Sequence, residues 1–309
     1  MSDRPKPPEH ERIAHETKEG RIPVRGGEIW YKVAGINRQG VPLMVLHGGP
    51  GASHDYLEPM EALANERPVV FYDQLGCGNS DKPENIALWT VKRYVDEVSR
   101  LRGALGLKAV HIMGQSLRTS LAVDYVLGKP EGVVSLVLSG PLLSASRWIE
   151  DQKAHIAELP ADLRQTIRTC EDTGAFGSPE YQDAVMAYYK RHVCRLDPWP
   201  ECLNRSFEKL NFAVYEYMWG PSEFTVTGAL KNYERVDRLN AITVPVLLTC
   251  GSHDEAPPLT TRYYHENLPG SEVHVFEDAS HEHHLEKQAE YITVVRDFLY
   301  GAEKIWARS

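Results

Sequence analysis

Short apolar runs that alternate with amphipathic stretches constrain this chain more than any other feature. PLMVLH at 42–47, PVVFYD at 68–73, AVHIMG at 109–114, GVVSLVLSG at 132–140, VPVLLTCG at 244–251 and EVHVFE at 272–277 are each bounded by turn-forming residues. Between them the period changes: Val91, Tyr94, Val95, Val98, Leu101 and Leu105 fall on one helical face, Leu121–Leu127 reads as a helix, and another helix runs through Tyr263. A last helix aligns Leu285, Ala289, Ile292, Val295 and Leu299. Strands that alternate with helices imply an α/β fold, a mostly parallel sheet covered on both faces. Ahead of this pattern, IPV at 22–24 and EIWYKVAG at 28–35 flank Gly26-Gly27 and read as a hairpin. From Pro141 to about Leu239 the alternation stops, and amphipathic segments such as SRWIEDQKAHIAEL and YQDAVMAYYKRHV follow one another with no strand between. The expected organisation is a first core part at 1–140, an inserted helical cap at 141–240 and a second core part at 241–309.

Composition removes several function classes. The 309 residues carry 34 Lys and Arg against 43 Asp and Glu, a net charge of −9, and no local basic patch offsets it. Nucleic acid and anionic membrane surfaces are therefore not expected partners. No stretch approaches the ~18 apolar residues of a membrane span, and MSDRPKPPEHERIAHETKEG has no apolar secretory core, so a cytoplasmic protein is expected. Five cysteines without a Cys-x-x-Cys pair argue for free thiols over a disulfide framework or a zinc ribbon. Gly76-x-Gly78 lacks the third glycine of a dinucleotide fingerprint, since Asp81 stands there, and no phosphate-binding loop occurs. HEHH at 281–284 lacks the zincin spacing because position 285 is Leu, and reads as a solvated His-rich loop. No metal and no cofactor are implied.

Gly114-Gln115-Ser116 sits where a strand ends and a helix begins, the setting in which a strained turn lifts a serine Oγ clear of a sheet. Alone, that serine is better read as the N-cap of an ordinary helix. The glycine-rich His47-Gly48-Gly49-Pro50-Gly51 follows another strand, at the sheet edge where open α/β folds bind ligands. Its backbone can approach a substrate oxygen closely, so an oxyanion hole built from the N–H groups of Gly49 and Leu117 is expected. Asp254 follows the strand VPVLLT and His281 follows EVHVFE. Ser116, Asp254, His281 is the chain order of an α/β-hydrolase triad, with His281 as the base and Asp254 holding its tautomer.

With these residues in place the chain resembles the proline iminopeptidase family of α/β-hydrolases, including its bacterial L-amino acid amidase members. The resemblance spans nearly everything after the first twenty residues and rests on IPVRGGEIWYKVAG, VLHGGPG, VVFYDQLGCGNSD, GQS, MWGPSEFTVTGALKNYE, LLTCGSHDEA and SHEHHLE. It implies an α/β-hydrolase core with a helical cap and a serine hydrolase acting on amino acid amides or short peptides. It also implies that cap glutamates read the substrate's free α-amino group, at positions matching Glu223 and Glu255 here. An esterase or lactonase on the same scaffold, or a ligand-binding protein that has lost its chemistry, are the rival readings. The oligomeric state is not legible. One stretch departs from the family, which usually reads Ser-Trp-Gly-Gly or Ser-Trp-Gly-Ser where this chain has Ser116-Leu117-Arg118-Thr119. Arg118 there reads as a change of specificity, as damage to the elbow, or as a side chain that escapes to solvent.

Overall fold

The computed structural model describes residues 16–308; the polar leader Met1–His15, read above as lacking a secretory core, lies outside the described residues. Eight strands form one sheet: β1 (Thr17–Val24), β2 (Gly27–Ala34), β3 (Leu43–Leu46), β4 (Val69–Tyr72), β5 (Val110–Gln115), β6 (Val133–Ser139), β7 (Val246–Gly251) and β8 (Ser271–Phe276). Their order is β1-β2-β4-β3-β5-β6-β7-β8, with β2 antiparallel to both neighbours and every pairing from β4 to β8 parallel. The hairpin expected at Gly26-Gly27 forms, with Val24 opposite Gly27 and Gly26 at φ +105°, a conformation that favours glycine.

The parallel strands are buried on both faces, which is why they read as continuous apolar runs. Val110 and Ile112 of β5 join one apolar cluster, together with Met44 and Leu46 of β3; Met113, Leu43 and Val45 join the cluster on the opposite face. Helix α1 (Val91–Ala104) starts on the Thr90 hydroxyl, which accepts the Arg93 N–H at 3.3 Å, and buries Tyr94, Val98 and Leu101 on the first face. Helix α2 (Arg118–Leu127) begins three residues before the Leu121 start read from the sequence, because the chain enters it directly from the turn at Ser116.

Between β6 and β7 run five helices and no strand of the sheet: α3 (Ala145–Ala157), α4 (Ala161–Thr173), α5 (Pro179–His192), α6 (Glu201–Glu208) and α7 (Phe212–Met218). Ser144 and Ser178 cap α3 and α5 through their hydroxyls. Ile167, Cys170, Tyr181, Tyr188 and Phe224 make an apolar cluster of their own, while Trp148, Tyr215, Met218 and Trp219 pack into the cluster on the sheet. After β7 come α8 (Pro258–Glu266), the single turn α9 (His283–Glu286) and α10 (Gln288–Trp306). The last helix is therefore shorter than its apolar pattern suggested: Lys287, at φ −126°, interrupts it and leaves Leu285 in α9. A 3-10 segment, His54–Asn65, lies between β3 and β4 and has no counterpart in the sequence reading. All five cysteines are unpaired, and no helix among the described residues is long and apolar enough to cross a membrane.

Helix α10 is held by polar contacts as well as packing: Arg296 donates to Glu66 at 2.6 Å, and Glu303 meets two basic groups of the core. Glu303 accepts a hydrogen bond from Arg67, 1% exposed at the foot of β4, and lies 3.2 Å from Nε2 of His111 on β5. Removing the carboxylate leaves the Arg67 charge buried without its partner, a change that typically costs ~3–5 kcal/mol. Glu303 is itself partly exposed, so Glu303→Ala is expected to lower the unfolding free energy by about 3 kcal/mol in urea titration, at the bottom of that range.

Candidate active site

Every parallel strand ends at the same sheet edge, so residues far apart in the chain meet there. Ser116 follows β5 with φ +56°, a left-handed conformation that costs a non-glycine residue ~1–2 kcal/mol. The surroundings hold it: Ser116 N–H donates to Ser139 O at 2.8 Å, and its carbonyl accepts from Thr119 N–H and the Thr119 hydroxyl at 2.9 and 2.7 Å. The Thr119 hydroxyl also accepts the Leu142 N–H at 2.8 Å, which ties the turn to the exit of β6. Gly114 must be glycine, since a Cβ there would stand 2.5 Å from the Arg118 carbonyl.

Asp254 and His281 sit on the loops after β7 and β8. The N–H groups of Gly251 and Ala256 donate to the Asp254 carboxylate at 3.1 and 2.8 Å, and Nδ1 of His281 lies 2.7 Å from its Oδ1. The chain before α9 is clamped to the end of α5: His281 N–H donates to His192 O and Glu282 N–H to Val193 O, at 3.0 and 2.8 Å. Gly140, at φ +56°, leaves room for the imidazole, because a Cβ there would lie 2.5 Å from His281 Cε1. Burial alone would push the Asp254 carboxyl up, but the charge and hydrogen bond of His281 outweigh it and hold the group below the usual carboxylate range. Burial opposes a charged imidazole too, yet Asp254, Glu255 and Glu282 together raise His281 to about 10.

The structure corrects the reading of HEHH as a solvated loop: His281, Glu282, His283 and His284 are all buried. Nε2 of His283 lies 2.9 and 3.0 Å from the hydroxyls of Thr249 and Ser139, and Nε2 of His284 lies 3.0 Å from the Tyr56 carbonyl. The segment carries four polar residues because it has polar partners inside, which sequence pattern cannot show.

Gly49 borders the same space, with φ +88°. In its loop Gly48 N–H donates to the Tyr56 hydroxyl at 2.5 Å, and that hydroxyl donates to Gln115 Oε1 at 2.6 Å. Neither Gly49 N–H nor Leu117 N–H makes a hydrogen bond among the described residues, as an oxyanion hole requires.

A cavity of about 200 Å³ opens over Ser116 and His281. Glu223 lines it, accepting the Tyr215 hydroxyl at 2.7 Å, and its carbonyl takes the indole N–H of Trp148 at 2.9 Å. Glu255 is 1% exposed, and its Oε1 stands 3.4 Å from His281 Nε2. Its backbone is held by Gln152, whose amide donates to the Glu255 carbonyl at 2.9 Å. The structure thus brings together Ser116, Asp254, His281, Gly49, Glu223 and Glu255. Nε2 of His281 makes no hydrogen bond, to Ser116 or any other described residue. Sequence reasoning missed Glu282, a third carboxylate on the cavity wall, although its place beside His281 was a signal. Burial raises the carboxyls of Glu223 and Glu255 and takes Glu282 to about 8. Elsewhere, His54, Asp55 and Glu58 gather metal-type ligand atoms within 4.8 Å, but Arg205 and Lys209 already neutralise those carboxylates.

The alpha/beta hydrolase fold family matches residues 41–288. The chain belongs to that family and is a hydrolase. It is 46% identical over 282 residues to a proline iminopeptidase of Heyndrickxia coagulans, covering 91% of this chain and 98% of that one. The crystal structure of a Mycobacterium smegmatis proline iminopeptidase superposes with a TM-score of 0.86 at 36% identity, over 93% of this chain and 99% of that one. VinJ gives 0.90 at 34% identity, over 92% and 99%. Within the α/β hydrolases, this chain belongs to the proline iminopeptidase family.

Arg118 does not escape to solvent, as one sequence reading allowed: it is 1% exposed. Its guanidinium lies 4.5 Å from the centre of the Tyr94 ring, which Arg93 approaches at 4.2 Å, and the hydrogen bonds of the Ser116 turn are intact. Arg93 is bonded to Glu97, whereas Nε and Nη2 of Arg118 have no acceptor among the described residues. A cation–π contact contributes ~2 kcal/mol when desolvated, less than the several kcal/mol that burying an ion costs. Arg118→Met, which keeps the length and drops the charge, is expected to raise the unfolding free energy by about 1 kcal/mol or more in urea titration. A less stable variant would show that the guanidinium holds the elbow together.

Proposed function

We propose that the protein is a cytoplasmic serine hydrolase that cleaves the amide bond after a free N-terminal residue, proline among them, in short peptides and small amino acid amides. The observation that carries this reading is one cavity lined by Ser116, by His281 with Asp254 bonded behind it, and by three glutamates, with no Lys or Arg on its wall. Ser116 Oγ attacks the carbonyl while His281 takes its proton, and the N–H groups of Gly49 and Leu117 receive the oxyanion. His281 then protonates the departing amine, and water releases the acyl-enzyme. Glu223 and Glu255 take the α-ammonium group, whose charge needs buried counter-charge once it leaves water. These residues supply nucleophile, base and oxyanion donors without a cofactor. Helices α3–α7 form the cap, and the unpaired thiols fit a reducing compartment.

Fluorophosphonate is expected to label the wild type at Ser116 and to leave Ser116→Ala unlabelled and inactive on prolyl and alanyl arylamides. N-acetylated substrates are expected to react poorly. Equal turnover of acetylated and free substrates would replace this reading with that of a general esterase.

Glu255 also governs when the base works. His281 Nε2 stands 3.4 Å from Glu255 Oε1, close enough that each group's charge shifts the titration of the other, and a protonated imidazole must lose its Nε2 proton before that nitrogen can accept one from Ser116. An incoming α-ammonium satisfies Glu255 and releases that proton. Because the neutral imidazole is the active form, raising its pKa moves the acid limb of the rate profile to higher pH. The acid limb of kcat/KM, which reports the free enzyme, is expected well above the ordinary imidazole value of ~6.5. The limb of kcat is expected lower, and Glu255→Gln is expected to bring the kcat/KM limb down as well. The substrate's own ammonium loses its charge near ~8 and produces a basic limb, of opposite sign. Coincident limbs near the ordinary value would rule out the coupling.

A further inference from the structure

Binding one α-ammonium accounts for Glu223 and Glu255 and leaves Glu282 unexplained. Its carboxylate is 6% exposed, lines the cavity, and has Oε2 without a hydrogen-bond partner. The nitrogen paired with that oxygen is His284 Nε2, 3.5 Å away. That atom already lies 3.0 Å from the Tyr56 carbonyl, and burial keeps His284 neutral by lowering it to about 3. A buried carboxyl oxygen without a partner is costly, and because Glu282 lines the cavity a ligand group can supply that partner.

Three carboxyl side chains line the cavity, each carried by a different element. Glu223 hangs from the segment after α7 beside Tyr215, and Glu255 stands against His281. Glu282 is fixed by its N–H to Val193 O, on the α5 side of the loop. The same cavity is lined by apolar side chains, among them Val185, Leu203, Phe207 and Leu210, and by the ring of Tyr189. Methylenes suit such side chains, and a cation suits the carboxyl oxygen of Glu282 that has no hydrogen-bond partner on the same wall.

We propose that Glu282 is a specificity-determining residue that receives a second ammonium group, so that the site takes N-terminal residues with a straight aliphatic stem ending in a cation, of the lysine and ornithine class. This rests on the reading of Glu223 and Glu255 as the α-ammonium subsite. One carboxylate system fixes the amino terminus, the apolar wall covers the stem, and Glu282 pairs with the side-chain ammonium.

The test uses binding, so that it does not depend on turnover. In full-length Ser116→Ala at pH 8, titration calorimetry compares L-lysinamide with L-norleucinamide, which has the same stem without the terminal charge. L-lysinamide is expected to bind at least about tenfold tighter, or ~1.4 kcal/mol. Adding Glu282→Gln is expected to bring the two within about threefold, or ~0.65 kcal/mol. Equal affinities in Ser116→Ala overturn the proposal, and that comparison stands even if the Glu282 variant does not fold. A lysinamide preference that survives Glu282→Gln assigns the second cation elsewhere and also overturns it. N-acetyl-L-norleucinamide separates the two readings: if it binds as well as L-norleucinamide, the α-ammonium subsite fails, whatever the lysine ratio shows.

Discussion

Asp254 and His281 meet at 2.7 Å in a place water barely reaches, and much of the molecule can be understood as the means of holding that pair there. Backbone N–H groups stabilise the carboxylate, Gly140 clears space for the ring, and the end of α5 grips the loop that carries the histidine. Each device acts on a different element. The pair therefore couples β7, β8, β6 and the helical segment into one arrangement.

The concentration of negative charge around that imidazole is the second organising fact. Asp254, Glu255 and Glu282 each raise the affinity of His281 for a proton, and Glu223 joins Glu255 and Glu282 on the cavity wall. A general hydrolase has no use for such a field, which makes the resting base too strong. A hydrolase that reads an amine gains from it, because the cation that completes the site also relieves the base. In the proposed reading, selectivity and activation share one electrostatic origin.

Arg118 shows that a chain can tolerate a departure at a demanding place. The elbow keeps its left-handed serine and its hydrogen bonds while a long cation lies in the core beside Tyr94. The unpaired nitrogens place the burden of the substitution on stability, away from the cavity over Ser116.

The alternation of strands and helices, the sheet edge on which Ser116, Gly49, Asp254 and His281 gather, and the run of helices between β6 and β7 were legible in the chain alone. Periodicity and strand-end position are local properties, and parallel strands turn a shared local position into a shared place. The long DQLGCGNS and HGGPG motifs made the family legible in the same way. Burial was not legible where it depends on partners distant in sequence. HEHH read as solvated, yet His283 finds Thr249 and Ser139, and His284 finds the carbonyl of Tyr56. The 3-10 segment at 54–65, the break at Lys287 and the inward course of Arg118 were likewise set by packing. Only the tertiary structure decided that Glu282 lines the cavity with an oxygen to spare. A carboxylate's environment is the sum of what other elements bring to it, and no window of sequence contains that sum.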